Sequence, residues 1–282
     1  MTDTATATSS HHNRMARAPS HWTDWGKWLA LISMTTDHVV RYALSNELSW
    51  QLSWASSTIG RVAFPLFAAM VAWHGLFDTR NPLRYARRIL VIGVIAQLPY
   101  VMMPRFTSVI MINVCFTLTL GLLLGSWFCH VYRLPAGELR RRLVHTAGAS
   151  ALLLALYLLV PLLERYNMRL EYGFFGVLMV PTFMLAMACY RHFDSGVVRI
   201  WAWLAGLPVL WITAQLNYYS VSKSIAFATS LAVLLLAAGL ASVTPRLPRA
   251  LKMPRWLWLG WYPGHLAIIA LIVYLPFWLA NG

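Results

Sequence analysis

The pair Asp37-His38 stands where a chain of this composition should carry neither residue. It lies 12 residues past Trp25, about 18 Å along a helix that rises ~1.5 Å per residue. That depth is near the midplane of a bilayer core about 30 Å thick, slightly toward its far side. Arg41 follows one turn later on the face of Asp37. Arg61 comes directly after Gly60, a turn or so into the next apolar stretch. Of nine acidic residues, only Asp37 is read as deep. Ionisable side chains at such depth are expensive and mark sites or conduction paths. A carboxylate, an imidazole and two guanidinium groups at one level suit proton transfer and the stabilisation of developing negative charge. Histidine is the side chain whose intrinsic pKa suits a general base near neutral pH, so His38 is the candidate base. Arg61 or Arg41 is the candidate oxyanion partner. Asp37 is expected to orient the imidazole, steady its protonated form, or pair with Arg61. Neighbours on a helix point about 100° apart, so direct Asp37–His38 contact is not expected. The structural alternative is an ion pair tying the first two helices, which gains little over apolar packing.

Further polar residues fall at matching depth. Gln97 and Pro99 end a third apolar stretch, and Asn113 and Thr117 lie in the outer half of a fourth. Tyr172 and Gly173 open a sixth, and Tyr262, Pro263 and His265 lie in the inner half of a ninth. Each alone fits helix packing, but His265 is the only other histidine set well inside a stretch. His74, His130, His145 and His192 fall near stretch ends, where interfacial roles suffice. Cys115, Cys129 and Cys189 lie in apolar segments without metal-ligand spacing, so no metal site is expected. Gly121 and Gly125 form a small-residue pair suited to close helix packing.

The elements that must hold these residues follow from composition. Hydrophobic residues make up 59% and charged residues 11%, against about 25% charged in an ordinary soluble domain. A net charge of +14 would suggest nucleic acid in a soluble protein. Here, basic loops on the cytoplasmic side of a membrane account for it. At about 20 apolar residues per crossing, nine transmembrane helices are expected, near residues 25–44, 56–77, 85–103, 108–130, 143–163, 171–190, 197–215, 224–243 and 257–279. Asn81-Pro82, Pro135 and the prolines at 245, 248 and 254 punctuate them. With a cytoplasmic N-terminus, the inner segments collect Arg14, Arg17, Lys27, the arginines at 80–88 and 133–142, Arg191, Arg199 and the basic residues at 246–255. The outer loops keep only Arg105, Arg165, Arg169 and Lys223. The fold class is therefore an all-α polytopic membrane protein, N-terminus cytoplasmic and C-terminus periplasmic. Residues 1–24 read as a disordered polar tail. Trp22, Trp25 and Trp28 flank the first helix, and Trp256, Trp258 and Trp261 open the last, as headgroup-level residues do.

The run from Lys27 to His38 (Lys-Trp-Leu-Ala-Leu-Ile-Ser-Met-Thr-Thr-Asp-His) is followed by Gly60-Arg61-Val62-Ala63-Phe64-Pro65-Leu66-Phe67. Further blocks are Asn113-Val114-Cys115-Phe116-Thr117-Leu118, Tyr172-Gly173-Phe174-Phe175-Gly176 and Tyr262-Pro263-Gly264-His265. In this order they resemble the TraX family over about residues 25–275. The resemblance implies a single transmembrane domain over 25–282 in the bacterial inner membrane, encoded with conjugative plasmids. It implies acetylation of the pilin subunit of a conjugative type IV secretion system at its N-terminal amine, with acetyl-CoA as the donor. Mapped onto this chain, the catalytic residues would be Asp37, His38, Arg61 and His265. Arg41, Asn113, Tyr172 and Tyr262 would contact the donor, and Arg84, Arg87 and Arg88 would meet the phosphates of CoA. The positive-inside bias already explains those three arginines. Rival readings are a non-enzymatic pilin assembly factor, an acyltransferase acting on a glycan or lipid, and a transporter relaying protons through Asp37 and His38.

Overall fold

The computed structural model describes residues 21–44, 49–103, 108–135, 137–192, 196–239 and 244–281. Residues 1–20 of the expected tail, and Arg105, lie outside the described residues. A helix stands at each of the nine expected positions. α1 is His21–His38, and it widens to π geometry over Val39–Ala43. α2 (Trp50–Ile59) continues through a tight turn at Gly60–Val62 into α3 (Ala63–Trp73) and a second π segment, His74–Asp78. Then follow α4 (Pro82–Val101), α5 (Val114–Arg133), α6 (Leu139–Arg165) and α7 (Gly173–His192). α8 (Gly196–Trp203) and α9 (Leu207–Gln215) are two pieces of one segment, and α10 (Ser220–Ala237) and α11 (Arg255–Asn281) complete the bundle.

Among the described residues, six segments are long and apolar enough to cross a membrane: Trp50–Asp78, Val114–Arg133, Leu139–Arg165, Gly173–His192, Ser220–Ala237 and Arg249–Leu275. The chain is thus a multi-pass membrane protein. The helix at the first expected position, α1 with its π extension, falls short because it carries Asp24, Lys27, Asp37 and Arg41, and the one at the third, α4, because it carries Arg84, Arg87 and Arg88. In the seventh, the apolar helix covers only Ile200–Gln215.

Of the boundaries that differ from expectation, two have a visible cause. α1 begins at His21, inside the segment read as tail, because Trp22 is buried edge-on against Trp73 at 5.7 Å. The fourth helix starts at Val114 rather than near 108. Ile110–Ile112 instead forms β1, paired in parallel with β2 (Met168–Leu170), with Met111 opposite Arg169. A short β-branched run has no helical period to prevent this. Asn113 is therefore not inside a helix; it is the N-cap of α5, its Oδ1 accepting from the Cys115 N–H at 3.0 Å.

The centre is built from α3, α5 and α7, with Trp73, Met70, Leu122, Met179 and Phe183 almost fully buried. α5 meets α7 closely. A Cβ at Gly121 would come within 2.6 Å of the Val177 carbonyl oxygen, and one at Gly125 within 2.6 Å of Met184 Sδ. The small-residue pair is thus a packing surface, as its spacing suggests. α6 is peripheral and buries only Ala149, Leu156 and Val160.

α1 and α11 start at the same face. Trp25 Nε1 donates to the Pro245 carbonyl at 2.9 Å, and Trp28 Nε1 to the Leu251 carbonyl at 2.8 Å. They then run side by side in one direction: Trp261 Nε1 donates to Thr35 Oγ1 at 2.8 Å, and His265 meets His38 one turn further on.

Candidate active site

The last turn of α1 sends adjacent residues to different neighbours. Asp37 faces Arg41, whose Nη2 donates to Asp37 Oδ1 at 2.8 Å. Spacing of four on a helix makes this contact natural. Asp37 also lies against Gly60, where an added Cβ would stand 2.6 Å from Asp37 Cβ. Only glycine lets the α2–α3 turn approach this closely, and the next residue, Arg61, acts on Asp37 with a second positive charge. The Asp37 side chain is 14% exposed and Arg41 41%. Arg41 thus reaches toward solvent while holding the carboxylate.

His38 turns instead toward α11. It is buried, as is His265, and His38 Nδ1 lies 2.8 Å from His265 Nε2. The other nitrogen of His265, Nδ1, lies 2.7 Å from the Trp261 carbonyl oxygen. A carbonyl only accepts, so His265 Nδ1 carries the hydrogen. In the neutral rings, His265 Nε2 is then an acceptor, His38 donates to it from Nδ1, and His38 bears its lone pair on Nε2. The rings lie nearly parallel, 11° apart with centroids at 5.1 Å.

Both groups line one cavity of about 640 Å³. Its walls come from the end of α1, the stretch 60–67, the last turn of α4, β1 and the segment 164–175. Six sequence-selected residues meet there: Asp37, His38, Arg41, Arg61, Tyr172 and Tyr262. His265 stands behind His38, outside the lining. Arg61 Nε and the Tyr262 hydroxyl are buried without a partner among the described residues. Buried polar atoms are seldom left so, and both are donors that a substrate or water in the cavity would satisfy.

Tyr172 has φ +62, in the left-handed region. That conformation costs roughly 1–2 kcal/mol for a residue with a side chain. Its ring stacks on Phe64 with centroids 3.8 Å apart and planes 8° apart. Thr117 Oγ1 also donates to the Glu171 carbonyl at 2.6 Å, fixing the preceding peptide. The strained backbone delivers an aromatic ring and Glu171 to the cavity together.

Four sequence-selected residues stand elsewhere. Asn113 is fully buried, and besides its capping bond its Nδ2 donates to the Gly93 carbonyl at 2.7 Å and to Gln97 Oε1 at 2.8 Å. It does not line the cavity. Gln97, in turn, donates to the Met111 carbonyl and accepts from the Asn113 N–H, standing in for a strand beside β1. Arg84, Arg87 and Arg88 are exposed at the far end of α4 from Tyr100, about 18 Å from the cavity along the helix for Arg88.

Sequence reasoning missed Glu171, Glu164 and Arg169, which line the cavity, the last two ion-paired at 3.2 Å. Asp37 is thus not the only acidic residue at the site. Glu164 lies in the last turn of α6, and Arg169 and Glu171 in the connection to α7, where charge is unremarked; only the adjacency of Glu171 to Tyr172-Gly173 could have signalled it. Among the remaining histidines, His74 pairs with Asp78 at 2.5 Å and His130 meets His145 edge-on at 5.3 Å, both outside this cavity.

A comparison with protein-family models matches residues 23–273 to the family described as TraX protein. No curated protein and no solved structure matches the chain.

Proposed function

This chain belongs to the TraX family, and from that premise we propose that it is an inner-membrane acyltransferase that N-acetylates a conjugative pilin, with acetyl-CoA as donor. The observation that carries this reading is the hydrogen-bonded series from the Trp261 carbonyl through His265 to His38 at the wall of a charged cavity. Such a series holds one tautomer of His38 and leaves Nε2 basic, which is what an amine nucleophile requires.

In the reaction, the pilin amine attacks the thioester carbonyl while His38 Nε2 takes its proton. The C–N bond forms, and negative charge grows on the carbonyl oxygen, where the guanidinium of Arg61 meets it. The C–S bond then breaks. The His38 imidazolium returns its proton to the departing thiolate, leaving an amide and a free thiol. His265 positions His38 and steadies its protonated form by accepting from Nδ1. Asp37 holds Arg41 and Arg61 near the cavity by charge.

The proposal includes nine crossings with a cytoplasmic N-terminus and a periplasmic C-terminus. Helices α1 and α11 begin at one face and run parallel, as the first and ninth crossings would. The cavity is lined by Met111, Val114, Glu164, Glu171 and Gln215, in or beside connections that the charge pattern puts outside. The arginines at 80–88, 140–142 and 246–255 fall at the opposite face by the same pattern. The acceptor amine therefore approaches from the periplasm. Arg84, Arg87 and Arg88 would serve CoA only if the donor spans the bundle from the inner face.

The test is the intact mass of the pilin from cells with and without this protein. The reading predicts pilin heavier by one acetyl group when the protein is present. Equal masses discard it. Lining residues beside connections that the charge pattern puts outside also favour a second acceptor class, a glycan or lipid of the outer leaflet. That alternative would leave pilin unmodified and change the mass of the glycan or lipid.

A further inference from the structure

A second cavity, of about 430 Å³, lies in the other half of the bundle. It arises from the course of α6. In its C-terminal half, Leu156 and Val160 pack with Leu170 and Val177, so α6 is tied to β2 and α7. In its N-terminal half, α6 leans on α5: Trp127 lies under Gly148, and His145 meets His130. The inner half of α7 is left uncovered, and a wedge opens there. Phe128, Leu153, Leu178, Leu185 and Ala188 line it. Besides the hydroxyl of exposed Tyr132, next to Arg133, it has that of Thr182, which donates back to the Leu178 carbonyl at 2.7 Å and offers little to water. Arg133 and His192, the final residues of α5 and α7, stand at one end of the wedge.

We propose that this wedge binds an anionic glycerophospholipid, one acyl chain lying between α6 and α7 and the phosphate meeting Arg133 and His192. Water needs polar partners that these walls lack. An empty wedge forfeits dispersion contacts along its length. The surrounding bilayer supplies apolar chains at this depth, and basic pockets between helices favour anionic headgroups. Arg133 and His192 lie where their two helices end on the same side of the membrane, the level at which lipid phosphates sit. The wedge and the His38 cavity share no lining residue. The lipid is therefore a bound component of the bundle rather than a substrate of that site. The proposal rests on the membrane reading alone and stands whether or not pilin is acetylated.

The test uses the full chain in phosphatidylcholine nanodiscs containing a trace of phosphatidylglycerol with a photoreactive acyl chain. Label is expected to concentrate in residues 125–133 and 178–192. Unlabelled phosphatidylglycerol should displace it about fivefold better than phosphatidylcholine. Arg133→Gln, a substitution outside the core, should abolish that preference without changing the melting temperature. Ala188→Phe, which fills the wedge, should lower labelling several-fold. Label spread evenly over lipid-facing residues such as Val94 and Ile268 would overturn the proposal. So would equal displacement by the two lipids, a preference that survives Arg133→Gln, or displacement by palmitoyl-CoA at concentrations where phosphatidylglycerol fails.

Discussion

The cavity at His38 and the wedge at Arg133 are hollows of comparable size in one helical bundle, about 640 and 430 Å³, yet their walls have opposite character. The first is lined by Asp37, Arg41, Arg61, Glu164, Arg169 and Glu171, the Asp37–Arg41 pair closing at 2.8 Å and the exposed Glu164–Arg169 pair at 3.2 Å. The second keeps its charge at the rim, where α5 and α7 end. Charge is tolerated within a membrane bundle when it faces a wet hollow and finds a partner, and otherwise it collects at helix ends. Each hollow also adjoins a π-widened helix segment, Val39–Ala43 beside the first and His74–Asp78 beside the second. Such segments re-aim side chains and recur at functional sites. Both segments carry charge, but Arg41 lines the first hollow, whereas Asp78 pairs with His74 outside the lining of the second.

Substitutions can break this distinction between a chemical hollow and a lipid-filled one. The largest effect is expected from His38→Ala, which removes the base and should lower acyl transfer by about 10²–10⁴-fold. Ala188→Phe in the wedge should leave the same rate within about twofold, as a change remote from the chemistry. Equal losses from both, in one assay of purified protein, would erase the contrast. Arg61→Ala should lower the turnover rate about 100-fold, the scale of losing one oxyanion donor. Arg61→Lys should recover only part of that, since an ammonium lacks the planar fork. His265→Phe keeps a ring against His38 but removes its acceptor. A loss of about tenfold is expected, on the scale of one hydrogen bond. His265→Gln, which restores an acceptor oxygen, should rescue part of it; a purely packing role would instead favour Phe over Gln. The smallest effect on rate is expected from Asn113→Ala. It should lower thermal stability by about 1–2 kcal/mol through loss of the cap while activity per folded molecule persists. A comparable fall in rate would return Asn113 to the site.

The core of the site was legible in the sequence because charge in an apolar chain is conspicuous. Asp37, His38 and Arg61 stood out by depth alone, and the cavity gathers all three. His265 stood out as a histidine well inside a helix, but sequence could not show its partner, which lies 227 positions away across the bundle. Asn113 misled because the same residue type caps helices and binds ligands, and only the 2.7 Å bond to Gly93 and the Cys115 cap decide for packing. Glu171 and Arg169 were passed over because charge in a connection between helices is ordinary. Nothing in their spacing reveals that the β1–β2 pairing folds that connection over the cavity. Among the helices, positions followed from hydropathy, whereas the strand at Ile110–Ile112 did not, since three β-branched and apolar residues fit either period.

The most direct measurement is acyl transfer in a defined system: purified wild-type and His38→Ala protein in nanodiscs, each given processed pilin and acetyl-CoA labelled in its acetyl group. The account predicts label on the pilin N-terminal amine with the wild type and almost none with His38→Ala, both proteins melting alike. Unlabelled pilin with the wild type, or equal labelling by the two proteins, would contradict it.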